Sequence, residues 1–202
     1  MGVPDSPSVR PAARAAVIWA RIAVTLIVLL ALAIGAQWLR PRPTAPPATG
    51  ATLAEGQALA GGGAPVEGHP APDFEMRYAD GRRVRLSDLR GQPVIINFWA
   101  SWCGPCRVEM PELIEAYTAH RAEGLEVIAV NVQEESAIAQ AFAAEVGMPF
   151  TVVVDLAGDI SRRYQVRNLP SSLFIDREGV VRARWMGILS REQLQKHLRE
   201  IL

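Results

Sequence analysis

The sequence predicts an α/β layered fold for residues 70–202, because strand and helix patterns alternate along this part of the chain. Val94–Trp99 is a nearly continuous apolar run, as expected of a strand that is buried on both faces. Residues 104–120 have the pattern of a helix, and a second buried strand is predicted at 125–130. Strand, helix and strand in this order are typical of a sheet covered by helices.

The other elements follow from turn signals and apolar periodicity. Asp80-Gly81 predicts the turn of a β-hairpin at the start of the domain. A short helix is predicted over 136–146, and Ser190 with Gln193 predicts a capping box for the last helix. The apolar stripe of the short helix consists of Ile138, Phe142 and Val146. The remaining predicted strands are 74–77, 84–86, 151–154, 172–176 and 180–185.

An apolar run before the domain predicts a single transmembrane helix over residues 22–39. Trp19 and Trp38 stand at its two ends, where an aromatic belt is expected, and arginines are more numerous before the run than after it. This bias predicts that residues 1–21 form a short cytoplasmic segment and that the domain lies on the extracytoplasmic side of the cell membrane. A cleaved signal peptide is the alternative, since 31–33 has the small-x-small pattern of a cleavage site.

Between the apolar run and the domain, residues 40–69 are rich in proline, glycine and alanine. This composition predicts a linker without packed structure. Residues 51–60 within it are too few and uncapped for a stable isolated helix.

Charge and composition exclude two classes of function. Lys+Arg and Asp+Glu are both 21, so the formal net charge is +0, and the aromatic residues do not gather in a basic run. Nucleic acid is therefore not the expected partner. The chain has only two cysteines, three positions apart, and its three histidines are far from them, so no metal site is expected.

The two cysteines lie in the motif Trp102-Cys103-Gly104-Pro105-Cys106, directly after a predicted buried strand and at the start of a predicted helix. The helix dipole and the unpaired N–H groups of that turn favour a thiolate at Cys103. Cys103 is then the nucleophile, and Cys106, one turn further on, attacks the mixed disulfide that Cys103 forms. The alternative is an inert pair of core cysteines, which this strand-to-helix position disfavours.

The segment from Phe98 to Cys106 resembles the thioredoxin active site, and Pro111 matches the proline of the thioredoxin active-site helix. Leu169-Pro170 resembles the cis-proline loop of that fold. The resemblance implies that this loop faces the cysteines and binds a substrate peptide with its backbone, next to Trp102.

More specifically, the domain resembles the TlpA/ResA-like membrane-anchored thioredoxin-like proteins, which include the CcmG/DsbE reductases of cytochrome c maturation. The similarity extends from Gly68-His69-Pro70 to the strand that ends at Asp176. It implies a thioredoxin-like fold with an N-terminal β-hairpin and an inserted helix and strand at about 134–154. Glu109 matches an active-site glutamate of ResA-like proteins, whereas a plain surface glutamate is the alternative.

Two positions depart from the patterns of these families. Asn97 stands where thioredoxins have a buried aspartate, although ResA-like proteins tolerate asparagine there. Gly104-Pro105 stands where ResA-like sites often carry a glutamate between the cysteines, which weakens the expectation of apocytochrome specificity.

The expected function is an extracytoplasmic thiol-disulfide oxidoreductase that acts mainly as a reductant, with no cofactor besides the redox-active pair Cys103 and Cys106. Its expected partners are disulfide-containing extracytoplasmic proteins, with apocytochrome c as a candidate, and a membrane electron donor. A peroxiredoxin-like peroxidase is one alternative, but Ala100 stands where such sites place threonine or serine. A non-enzymatic peptide-binding module is the other, and the intact cysteine pair disfavours it.

Overall fold

A computed structural model describes residues 51–59 and 63–202, which form one eight-stranded sheet with helices on both faces. The strand order in the sheet is β3-β2-β1-β6-β5-β4-β7-β8. The strands are β1 Thr52–Ala58, β2 Phe74–Tyr78, β3 Arg83–Arg85, β4 Val94–Trp99, β5 Glu126–Val132, β6 Thr151–Asp155, β7 Ser171–Ile175 and β8 Val181–Met186. The helices are α1 Gly104–His120, α2 Ser136–Val146, α3 Asp159–Arg163 and α4 Arg191–Ile201, with 3₁₀ turns at Leu86–Leu89 and Arg121–Glu123.

The centre of the sheet positions the cysteine motif. Strand β4 pairs in parallel with β5 and antiparallel with β7, and all six of its residues are buried. Ile95 belongs to the core under α1, α2 and α4, and its neighbour Ile96 belongs to the core on the α3 face. Because successive side chains of a strand point to opposite faces, the predicted continuous apolar run is what a two-sided core requires.

The predicted hairpin and the inserted helix and strand are present. β2 and β3 pair antiparallel around the Asp80-Gly81 turn, and the insertion corresponds to α2 and β6. Strand β6 extends the parallel part of the sheet beyond β5. The predicted capping box of the last helix is also present, since Ser190 and Gln193 cap α4 reciprocally.

The linker prediction for residues 40–69 is wrong at Thr52–Ala58, which form strand β1 inside the sheet. The folded domain therefore begins before residue 70. β1 pairs antiparallel with β2 and parallel with β6, so backbone hydrogen bonds hold it. Gly56 suits this position because a Cβ there would come within 2.5 Å of Val153 and Ile160 side-chain atoms. Because backbone hydrogen bonds hold β1, its side chains do not need the apolar alternation by which a strand is recognised in a sequence.

Two smaller expectations also need correction. Of the predicted stripe of α2, Phe142 is buried as expected, whereas Ile138 is 48% exposed and Val146 is half-buried. Ala139 and Ala143 complete the buried face. The short helix α3 was not predicted, since five residues are too few for a periodic pattern.

The predicted cytoplasmic segment 1–21 and transmembrane helix 22–39 lie outside the described residues. Within residues 51–59 and 63–202, no helix has the length and apolar character that crossing a bilayer requires.

Candidate active site

The cysteine motif lies where strand β4 gives way to helix α1. Cys103 is the N-cap residue of α1, and its Sγ accepts a hydrogen bond from the backbone N–H of Cys106 at 3.2 Å. Cys103 and Cys106 form a disulfide with their Cα atoms 5.3 Å apart, so the structure describes the oxidised protein. Since the first N–H groups of a helix lack intrahelical partners, they stabilise negative charge on a sulfur at this position.

The two cysteine residues are both buried and differ slightly in their exposure to solvent. Cys103 is 4% exposed and Cys106 is fully buried, whereas Trp102 beside them is 72% exposed. This order agrees with the expectation that a substrate reaches Cys103 first. The assignment of nucleophile and resolving cysteine stays a prediction.

The Leu169-Pro170 peptide bond is cis, as the resemblance to thioredoxin implied. Leu169 packs against the core cluster that contains both cysteines, and Pro170 is buried. A hydrogen bond holds the backbone of this loop, since the Pro170 carbonyl accepts from Gly187 N–H at 2.9 Å. Leu169 and Trp102 line the same surface cleft. The predicted peptide-binding residues therefore lie together, while their role stays a prediction.

Glu109 is buried, so the alternative interpretation, a plain surface glutamate, is wrong. It lies one turn after Cys106 on α1 and is 1% exposed. Its carboxylate accepts hydrogen bonds from Asn97 Nδ2 at 2.7 Å and from Leu189 N–H at 2.9 Å. Burial raises the pKa of Glu109 to about 7, although the two hydrogen bonds oppose that rise. A carboxyl group in this state can take up or release a proton near neutral pH.

Asn97 connects Glu109 to the strand that follows the cis-proline loop. Besides Glu109, its Nδ2 donates to Ser172 Oγ at 3.0 Å, and its Oδ1 is buried without a hydrogen-bond partner among the described residues. Ser172 and Leu189 are two residues of the site that the sequence analysis missed. They come from β7 and from the segment before α4, and no local pattern reveals such distant partners.

A second buried glutamate, which was also missed, holds the turn before the cysteines. Glu134 accepts hydrogen bonds from Ser101 N–H at 2.7 Å, Ser101 Oγ at 2.5 Å and Asn131 Nδ2 at 2.7 Å. It is 8% exposed and lies just before α2. Glu134 therefore joins the inserted helix and strand to the backbone two residues before Cys103.

The fold and the site together define a thiol-disulfide oxidoreductase with a thioredoxin-like fold. A cysteine pair at the start of a helix, a cis-proline loop and a buried carboxyl group one turn from the second cysteine are suited to dithiol exchange. The comparisons with known proteins agree with this class and give the family.

The chain belongs to the AhpC/TSA family, whose model matches residues 67–184. The thiol-disulfide oxidoreductase ResA of Geobacillus kaustophilus is 38% identical over 134 residues, which are 66% of this chain and 77% of that protein. ResA of Bacillus subtilis is 34% identical over 132 residues, or 65% of this chain and 74% of that protein. The predicted likeness to the TlpA/ResA-like proteins is confirmed.

Solved structures give the same result. A Chlorobium tepidum structure described as a thiol:disulfide interchange protein DsbE superposes with a TM-score of 0.63 at 36% identity, over 68% of this chain and 98% of that one. StoA from Bacillus subtilis superposes with a TM-score of 0.55 at 26% identity, over 64% and 98% of the two chains. The expected oxidoreductase function and the thioredoxin-like fold are therefore confirmed.

Proposed function

We propose that this oxidoreductase works as a reductant of protein disulfides on the extracytoplasmic side of the cell membrane, anchored by residues 22–39. The apolar run with its tryptophans and arginines supports the anchor. A similar protein with 29% identity and a TM-score of 0.56 is described as the pneumococcal exposed lipoprotein thioredoxin Etrx1 of Streptococcus pneumoniae, which supports the location.

The observation that carries the proposal is the buried carboxyl group of Glu109 one turn from Cys106. In the reduced protein, the Cys103 thiolate attacks one sulfur of a substrate disulfide, and the other substrate sulfur leaves and takes a proton. Cys106 must then lose its own proton before it can attack. Glu109 has a pKa raised to about 7, so it is basic enough to accept that proton near neutral pH.

The second step forms the Cys103–Cys106 disulfide and releases the substrate. The Cys106 thiolate attacks Cys103 Sγ, the bond to the substrate breaks, and the second substrate sulfur leaves as a thiolate that takes up the proton held by Glu109. The substrate has then gained two electrons from the protein and two protons, one from the solvent and one from Cys106 by way of Glu109. The protein holds the Cys103–Cys106 disulfide that the structure describes. A dithiol donor at the membrane would return the electron pair by the same exchange in reverse.

The partners that we propose are extracytoplasmic proteins with disulfides, and apocytochrome c is one candidate among them. The relatives named ResA and DsbE support this class of partner. Gly104-Pro105 between the cysteines, in place of the glutamate that ResA-like sites often carry, leaves the class broad.

The reduction potential of the cysteine pair tests the direction of electron flow. The full chain in detergent is equilibrated with thiol-disulfide buffers, and the fraction of reduced protein is measured by alkylation and mass spectrometry. A reductant should have a potential below about −230 mV, in the range of thioredoxin and the more reducing glutaredoxins. A potential near about −120 mV, as in a strong oxidant, would contradict the proposal. Peroxide consumption faster than disulfide reduction would favour the peroxidase instead.

A further inference from the structure

A surface cleft of about 260 Å³ lies next to the cysteine motif, and most of its lining residues have no part in the exchange chemistry described above. Trp102, which precedes Cys103, lines it together with Leu169, which precedes the cis-proline. The other residues on this lining that matter here are Val132, Val166, Arg167 and Asn168. Because Trp102 adjoins Cys103 in sequence and Leu169 adjoins the cis-proline, a chain that reaches Cys103 can extend into this cleft.

The charge of the cleft is positive. Arg162 and Arg167 line it and no acidic residue does. Arg162 is occupied, since it pairs with Asp159 and donates to the Ala157 carbonyl at 2.7 Å. Arg167 is exposed and has no ion pair or hydrogen bond among residues 51–59 and 63–202. The cleft therefore presents one cation that the described part of the chain leaves without a counter-charge.

The rest of the lining is mixed: Trp102, Leu169, Val132 and Val166 are apolar, whereas Gln133, Ser161 and Asn168 are polar. Trp102 is 72% exposed, although a buried indole contributes far more binding free energy than a solvated one. Tryptophan and arginine are also the residues most enriched among those that dominate binding at protein interfaces. An apolar wall next to Cys103 and a free guanidinium beside it call for a partner with an apolar group and a carboxylate.

We infer that this cleft selects substrate polypeptides that carry an acidic side chain within a few residues of the disulfide to be reduced. The inference rests on the proposed reductase function and adds a substrate class to it. The apolar part of the substrate segment packs on Trp102 and Leu169, and its carboxylate pairs with Arg167. Such a charge-assisted contact at a partly solvated site accelerates productive encounter and is weakened by salt.

An anionic membrane surface is the competing partner, because exposed tryptophan and arginine also bind lipid headgroups. The position of the cleft favours a polypeptide. Trp102 is followed at once by Cys103, and Leu169 by the cis-proline, so the apolar wall is continuous with the residues that receive a substrate disulfide.

The test uses the full chain in a neutral detergent and three disulfide substrates. Two are synthetic peptides with one internal disulfide, identical except that residues near one cysteine are glutamate in the first and lysine in the second. The third is a small uncharged disulfide. We expect kcat/KM for the glutamate peptide to exceed that for the lysine peptide by about five- to tenfold at low salt, and by about twofold in 0.5 M NaCl.

Substitutions assign the preference to Arg167. Arg167→Ala should bring the ratio of the two kcat/KM values to about 1, and Arg167→Glu should invert it. Arg199→Ala is the matched control, because Arg199 is exposed, lies in the last turn of α4 and does not line the cleft. It should keep the preference of the unaltered protein. Reduction of the uncharged disulfide should be the same in all four proteins.

The outcomes separate this inference from the proposed function. Failure to reduce any of the three substrates would contradict the reductase itself. Reduction of all three substrates with no preference, or with a preference that survives in Arg167→Glu, would overturn the inference alone. It would also be overturned if Arg167→Glu abolished binding to vesicles of phosphatidylglycerol while leaving the peptide preference unchanged.

Discussion

Replacing Glu109 by glutamine should remove a pH dependence from the stability of the oxidised domain. In the native protein this carboxyl group is buried, and its pKa is raised from 4.5 to about 7. Glutamine keeps the shape of the side chain and cannot ionise. It can accept only one of the two hydrogen bonds from Asn97 and Leu189, so a constant cost of about 1–3 kcal/mol is expected at every pH.

The magnitude follows from the pKa difference between the folded and unfolded states. A rise from 4.5 to about 7 is about 2.5 units, and at about 1.36 kcal/mol per unit it corresponds to roughly 3 kcal/mol. Between these two pH values the folded state binds more protons than the unfolded state, so the free energy of unfolding falls as pH rises. The penalty is absent below pH 4.5 and complete above about pH 7.

The assay is urea unfolding of residues 48–202 with the disulfide intact, at pH values from 4 to 8. The free energy of unfolding of Glu109→Gln minus that of the unaltered domain should increase by about 3 kcal/mol from pH 4 to pH 8, because only the unaltered domain loses stability as the pH rises. Glu135→Gln is the control, because Glu135 is exposed and its side chain makes no cap hydrogen bond. A difference for Glu109→Gln that does not change with pH would refute the raised pKa. It would also remove the support for Glu109 as the proton acceptor of Cys106.

Four further outcomes are expected. Cys103→Ser should abolish disulfide reduction, whereas Cys106→Ser should accumulate as a mixed disulfide detectable by mass spectrometry. Equal alkylation rates of the two thiols in the reduced protein would contradict the assignment of Cys103 as the nucleophile. Glu134→Ala should lower the free energy of unfolding by about 2–4 kcal/mol in urea titrations, because the partly buried donors of Ser101 and the buried amide of Asn131 lose their acceptor. An unchanged midpoint would show that the contact is dispensable. Gly56→Ala should cost about 1–3 kcal/mol by the same measurement through the clash with β6 and α3, and full stability would mean that the neighbours yield freely. The full chain should remain in membranes after high-salt and carbonate washes, whereas a soluble mature form beginning near residue 34 would show cleavage of a signal peptide.

The elements that could be predicted from the sequence are those whose own residue pattern shows whether they are buried. The run Val94–Trp99 is apolar at nearly every position, and only a strand between two cores buries all of it. The motif around Cys103 could be placed for the same reason, since a strand precedes it and Pro105 suits a first helical turn.

The parts that escaped prediction depend on partners that are distant along the chain. Strand β1 carries only one buried residue, Ala54, and its place is set by backbone pairing with β2 and β6. The burial of Glu109 depends on Leu189, which is 80 positions away, and on Asn97 in β4. The local pattern of apolar residues does not depend on such distant contacts. Neither strand β1 nor the hydrogen bonds of the buried Glu109 could therefore be predicted from it.

The place of β1 in the sheet would have a mechanical consequence under the proposed anchor at residues 22–39. A pull on Ala51 along the strand would load β1 in shear against β2 and β6 together, over five and four registered residue pairs respectively. Hydrogen bonds loaded in shear share the force, whereas those at the end of a hairpin open one after another. Under that anchor, tension entering through β1 would be shared with β2 and β6, neither of which carries the turn at Cys103.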